Sequence, residues 1–277
     1  MTGSTGSSHG WGLLERLGRA GRFLWGGWAG VAALSLLAAL WQAGHEAYGD
    51  FILPAPLATL SAAAAILADP ANWQALGDTL GRALAGFAVA SALGAAGGMV
   101  AGYSPATMRL ARPLLTVILG VPPIAWLVLA MIWFGATDGM VVLTIVVGVL
   151  PLVFAGVAEG IAARDRGLDA MAQVFGAGPL RRLGLGLRQM LAHLFPALML
   201  GLATAIKVAV MIEVLASVGG IGDALARARQ YMDVTQALAW ILLAVAGLIA
   251  LEYTLIHPIR GELERWREAA RPWGVKR

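Results

Sequence analysis

Three ionisable side chains, Arg82, Lys207 and Glu213, lie inside stretches of this chain that are otherwise apolar. Charge in such surroundings is costly, so each is a candidate for function. Lys207 can attract an anion as a point charge, or it can pair with Glu213 or Glu252. Lys207 and Glu213 are six residues apart, so they do not share a face of one helix. Glu213 can also be satisfied by backbone or by Arg227. Arg82, near the start of its apolar run, reads as an interfacial side chain whose head snorkels to water. Covalent and metal chemistry find little support. There is no cysteine, and the four histidines (His9, His45, His193 and His257) show no ligand spacing. No nucleophile converges with a base in the sequence.

The elements that must position these residues are membrane spans. Only 13% of the 277 residues are charged and 59% are hydrophobic, whereas a soluble domain carries about 25% charged residues. A spanning helix needs about 20 mainly apolar residues. The qualifying segments run from Phe23 to Ala43, Trp73 to Gly102, Leu110 to Phe134, Met140 to Ala158, Leu191 to Ala216, and Val234 to His257. The first follows Arg16, Arg19 and Arg22 and is expected as an uncleaved span, because no A-x-A site closes it. Residues 1–22 open with a Gly/Ser tail expected to be flexible.

Orientation follows from the basic residues. A cytoplasmic N-terminus places 16 of the 20 Lys and Arg residues on one side, and only Arg227 and Arg229 on the other. The expected fold is therefore an all-α membrane protein with six spans and both termini in the cytoplasm. Its parts are a flexible tail (1–22), a first span with a periplasmic segment (23–72), a five-span core (73–260) and a cytoplasmic C-terminal tail (261–277). Basic residues beside apolar runs are a topology signal, and no basic-aromatic platform for nucleic acid is present.

Gly94, Gly98 and Gly102 recur every four residues, which suits close helix packing. Pro113 and the pair Pro122-Pro123 fall in the third span, and Pro151 in the fourth. They are expected to kink their helices, either structurally or around a cavity.

Between the fourth and fifth spans the chain turns basic, with Arg181, Arg182 and Arg188. Leu168, Met171, Ala172 and Phe175 recur at i, i+3, i+4 and i+7, one face of a short helix. Asp165 is placed to cap its start and Gly176 to end it. Pro179 can open a second short helix. Helices this short are not stable alone, so the apolar face must meet the protein's own cytoplasmic ends, the lipid surface, or a groove on a partner.

Several stretches resemble the permease subunits of bacterial ABC importers, the binding-protein-dependent inner-membrane component family. That family's cytoplasmic signature is Glu-Ala-Ala, three residues, Gly, and further on Ile-x-Leu-Pro. Here Ala170-Met171-Ala172 precedes Gln173-Val174-Phe175 and Gly176. The second alanine and the glycine match. Ala170 replaces the glutamate, with Asp169 beside it, and Leu191-Ala192 stands where Leu-Pro is expected. Leu76–Ser104 resembles the family's second span. "RPLLTVILGVPPIAWLVLAMIWFG" (Arg112 to Gly135) is similar to the third span of its nitrate, sulfonate, taurine and bicarbonate branch. "FILPAPLATL" (Phe51 to Leu60) and "IEVLASVGGIGDAL" (Ile212 to Leu225) resemble further segments of that branch.

The resemblance implies a multi-pass inner-membrane permease subunit that imports a small solute, an anion such as nitrate, sulfonate, taurine or bicarbonate. It implies a second permease copy, ATP-binding cassette subunits, a periplasmic binding protein and a lipid surrounding. Asp169, Ala170, Met171, Ala172, Phe175 and Gly176 then form a cytoplasmic coupling helix between spans four and five. Pro122, Pro123, Trp126, Lys207, Met211 and Glu213 are the candidate pathway residues, Glu213 at an outer gate. Lys207 departs from the branch, which is apolar there. Asp223, Arg227 and Arg229 can meet the binding protein or form a solvated turn. No Gly-x-x-x-x-Gly-Lys-[Ser/Thr] loop is present, so the chain is expected to be non-catalytic and free of cofactors, with ATP and Mg on the partner. The alternative is a secondary transporter driven by an ion gradient, although no convincing internal repeat is seen.

Overall fold

Helix boundaries in the computed structural model follow local punctuation. The structure describes residues 10–256. Ser104 caps α4 (Pro105–Gly120), its hydroxyl accepting the Thr107 N–H, and Pro105 occupies the first turn, where a missing N–H is harmless. Asp233 caps α10 (Val234–Leu251) in the same manner. The other helices are α1 (Gly10–Tyr48), α2 (Pro56–Ala68), α3 (Trp73–Tyr103), α5 (Pro123–Phe134), α6 (Asp138–Ala162), α7 (Arg166–Val174), α8 (Pro179–Ala216) and α9 (Ile221–Gln230). Among the described residues α3, α6, the His193–Ala216 part of α8, and Val234–Thr254 are long and apolar enough to cross a membrane.

The described residues fall into two compact units divided between Ser61 and Ala62. In the first, the Trp41 indole N–H donates to the Pro54 carbonyl at 2.9 Å, and His45 Nδ1 lies 2.9 Å from the Leu53 carbonyl. These contacts hold the proline-containing segment onto the end of α1. That helix contains the expected first span and already begins at Gly10. Residues 1–9, the end of the sixth expected span at His257, and the 261–277 tail lie outside the described residues.

In the second unit, α6 is the central helix. Its Val141, Ile145, Val149, Val153 and Val157 are fully buried. On α3, the residues facing it are small: Ala83, Gly86, Ala90, Gly94, Gly98 and Ala101. A Cβ at Gly94 would stand 2.8 Å from the Leu150 carbonyl oxygen, and one at Gly98 2.6 Å from that of Phe154. The four-residue glycine spacing is therefore a packing stripe that lets two backbones approach. Gly156 and Gly160 of α6 do the same toward α8, at Ala197 and Met190. A second apolar cluster joins Ile221 and Ala224 of α9 to Ala239, Trp240 and Leu243 of α10.

Two expectations about span shape are corrected. The third segment, Leu110–Phe134, is two helices: α4 and α5 meet at 92°. Pro122 and Pro123 remove two consecutive backbone donors, and the residue before them, Val121, is forced into an extended conformation (φ −83°, ψ 126°). At 16 and 12 residues, the halves are about 24 and 18 Å long, each short of the ~30 Å hydrocarbon core. The second short helix expected after Pro179 runs on as one 38-residue helix, α8, into the fifth span. Pro151 does not interrupt α6.

Candidate functional site

The strongest polar cluster in the second unit is built on Glu213, whose residue is fully buried. One carboxylate oxygen accepts from the Arg82 guanidinium at 3.0 Å. The other accepts from the Thr79 hydroxyl at 2.7 Å and from the Gly222 N–H at 3.1 Å. Thr79 in turn accepts the Ile221 N–H at 2.8 Å. Side chains of α3 and α8 thus satisfy the first two N–H groups of α9, which would otherwise lack partners. A carboxylate at a helix N-terminus also meets the positive end of the helix dipole.

Arg82 reaches further. Its Nε donates to Asp138 at the start of α6 at 2.7 Å, and its terminal nitrogens donate to the Val218 and Gly219 carbonyls at 3.0 and 3.3 Å. One guanidinium therefore ties α3 to α6, to α8 and to the turn between α8 and α9. Planar geometry with several donors is what such a junction needs, and an ammonium cannot supply it. The snorkelling expected for Arg82 is corrected: its side chain is 11% exposed and turns inward to an ion pair.

The turn explains its own glycines. Ser217, Gly219 and Gly220 have positive φ (50°, 81° and 93°). A Cβ on Gly220 would overlap the Glu213 carboxylate, and one on Gly222 would overlap the Val210 carbonyl. The Gly-Gly-Ile-Gly run is what allows the backbone to wrap a buried acid.

Lys207 is on a different face of α8. It is exposed and lines a groove of about 440 Å³ between α8, α9 and α10, with Met211, Val214, Leu225, Ile241 and Val245 among the walls. It makes no hydrogen bond or ion pair among the described residues. The pairing expected with Glu213 or Glu252 is corrected, since Arg82 holds Glu213. Arg227, the other expected partner of Glu213, is paired with Asp223 one turn away on α9.

The remaining pathway candidates lie elsewhere. Pro122 and Pro123 are exposed at the α4–α5 bend, and the half-buried Trp126 bridges it, donating its indole N–H to the Ile118 carbonyl at 3.4 Å. None of the three lines the Lys207 groove. Glu213 is buried behind it rather than lining it.

The α7 segment is built as its spacing predicts. Asp165 caps it, accepting from the Gly167 and Leu168 N–H groups at 2.8 and 3.3 Å. Gly176 closes it with φ 71°. The Ala177 N–H bonds the Ala172 carbonyl and the Gly176 N–H bonds that of Gln173, a Schellman cap. The Ala172-x-x-x-Gly176 spacing is thus the geometry of a helix stop. Met171 is 54% exposed, Val174 85% and Phe175 82%, so this apolar edge has no cover from the described chain. Ala170 is exposed and Ala172 partly so, while the Asp169 side chain lies outside what is described.

The model of the binding-protein-dependent transport system inner membrane component matches residues 94–259, more than half of the chain. The chain belongs to that family. It is 25% identical over 258 residues to the aliphatic sulfonates transport permease protein SsuC of Bacillus subtilis, covering 91% of this chain and 92% of that one. It is 28% identical to SsuC of Escherichia coli, covering 77% and 83%, and 26% identical to that organism's taurine transport system permease protein TauC, covering 85% and 88%. It is accordingly a multi-pass inner-membrane permease of an ABC importer, and it is similar to permeases named for sulfonates and taurine, two of the four solutes of the nitrate, sulfonate, taurine and bicarbonate branch that its segments resemble. A transporter of this binding-protein-dependent family works, in general terms, with a binding protein and an ATPase.

The family match takes in Trp126, the α7 segment, Lys207 and Glu213, but starts after Thr79 and Arg82. Sequence reading missed Thr79 and Asp138. The signal for Thr79 was present: it stands three residues before Arg82, on the same face of a mainly apolar helix. Asp138 gave no such signal, because it enters the cluster from another helix.

Proposed function

We propose that this permease forms half of a translocation pathway with six spans and both termini in the cytoplasm, paired with a second copy of itself. It imports a small solute with a negatively charged head group, an alkanesulfonate in the first instance and the zwitterion taurine as a second candidate, delivered by a periplasmic binding protein. The chain itself is non-catalytic; ATP and Mg are held by two ATP-binding subunits. Trp126, Lys207 and Met211, with the bend at Pro122 and Pro123, belong to the pathway, and the Glu213 cluster braces its outer end.

The observation that carries this reading is the uncovered apolar edge of α7. A nine-residue helix is not stable by itself. Its cap at Asp165 and its stop at Gly176 define its ends, and it presents Met171, Val174 and Phe175 outward. That is the arrangement of a helix laid into a groove on a partner, and we assign Asp169, Ala170, Met171, Ala172, Phe175 and Gly176 to coupling with the ATPase. A mild-detergent pull-down of the tagged chain, read by mass spectrometry, tests it. An ATP-binding subunit is expected with the unaltered chain and is lost with Phe175→Asp, whose side chain is too exposed to matter for folding. If no ATPase co-purifies with the unaltered chain under several detergents, the coupling assignment fails.

A further inference from the structure

Lys207 poses a problem that the cluster around Glu213 does not solve. At 1.5 Å rise per residue it lies roughly 14 Å from the Ala216 end of its span and 21 Å from the His193 end. Its stem cannot carry the ammonium out of the apolar layer. A cation at that depth requires a water-filled cavity or a partner of opposite charge, and the described residues supply no partner. The carboxylate nearest in sequence, Glu213, is committed to Arg82, Thr79 and Gly222. Arg82 offers no rival anion site, because its nitrogens already bind Asp138, Glu213 and two carbonyls.

The groove into which Lys207 opens has the size of a small-ligand site, about 300–1,000 Å³ for such pockets in general. Apart from the ammonium its lining is apolar. One lone cation selects one negative charge. A compact ammonium imposes no planar two-point geometry, so a tetrahedral head group suits it as well as a carboxylate. Apolar walls add binding only for a ligand that brings apolar surface of its own, about four-fold per buried methylene. A bare inorganic anion forgoes that gain.

We propose that Lys207 and the walls of this groove form a specificity site for a monovalent organic anion with a short aliphatic tail. The ammonium takes the head group, and Met211, Val214, Leu225 and Val245 take the tail. The inference rests on the permease reading and deepens it: Lys207 favours alkyl anions over nitrate or bicarbonate within one pathway.

The chain has only two lysines, Lys207 and Lys276, which makes the test direct. The full chain, purified in nanodiscs with the subunits that accompany it, is acetylated with acetic anhydride, and each lysine is quantified by peptide mass spectrometry. Alkanesulfonates from methane- to butanesulfonate are expected to protect Lys207, the half-protecting concentration falling about four-fold per methylene. Lys276 is expected to be unaffected, and butanol and butylammonium to give no protection. Leu225→Trp, which fills the tail region, is expected to abolish the chain-length trend while methanesulfonate still protects. Four results overturn the proposal: a Lys207 that does not react without ligand, no protection by any alkanesulfonate, equal protection by nitrate and butanesulfonate, or protection only when phosphatidylglycerol is added to the nanodiscs. Labelling does not depend on the ATPase, so a missing ATPase in the pull-down sinks the coupling assignment and leaves this result standing.

Discussion

Arg82 and Glu213, 131 residues apart in sequence, form a 3.0 Å ion pair that joins α3 to α8 inside the second unit. The acid is fully buried and the arginine side chain nearly so. Both have their remaining capacity met by Thr79, Asp138, Gly222 and the Val218–Gly219 carbonyls.

Removing one partner of such a pair costs more than removing both. Arg82→Met leaves an uncompensated buried carboxylate and should cost about 3–5 kcal/mol. The double variant Arg82→Met/Glu213→Gln should recover part of it, as a neutral amide still accepts from Thr79. Thermal unfolding of the unaltered chain, Arg82→Met, Glu213→Gln and the double variant in one detergent measures the coupling; strict additivity would contradict the cluster described here.

The glycine stripe of α3 should respond to substitution by position. Gly98→Ala places a Cβ 2.6 Å from the Phe154 carbonyl and 2.9 Å from Val157 Cβ, so α3 and α6 must separate and stability falls. Gly81→Ala meets nothing within 4 Å and should raise stability by up to about 1 kcal/mol through helix propensity. Opposite signs in paired melting curves are expected.

Asp165→Ala removes the cap of α7 and should weaken that helix by about 1 kcal/mol. Hydrogen exchange over residues 166–174 should quicken several-fold while α6 is unchanged. Gly176→Val, forced to φ 71° with a β-branched side chain, should fray the other end by at least as much.

The chain has no cysteine, so single cysteines report topology without background. Val174→Cys and Tyr231→Cys lie at positions 85% and 82% exposed, on either side of the α8 span. A membrane-impermeant thiol reagent should label Tyr231→Cys from outside intact cells and reach Val174→Cys, on the edge assigned to the ATPase, only after lysis in a detergent that strips bound subunits. Labelling of both from one side contradicts the six-span orientation.

Much of this protein was determined locally and was legible in its sequence. Apolar run length marks the spans because a bilayer has one thickness. Asp165, Gly176 and Pro179 mark helix ends because caps and stops are short-range chemistry. The Gly94-Gly98-Gly102 spacing marks a packing face because a helix repeats near that period. Tertiary structure decided what sequence distance hides. Arg82 looked like an interfacial side chain until Glu213, Asp138 and two carbonyls converged on it from three other segments. Lys207 looked able to pair with Glu213 until Arg82 took that acid. The Pro122-Pro123 pair announced a break, but its 92° angle depends on what α4 and α5 pack against. Partner choice for a buried charge is set by which helices meet, and no local pattern carries that information.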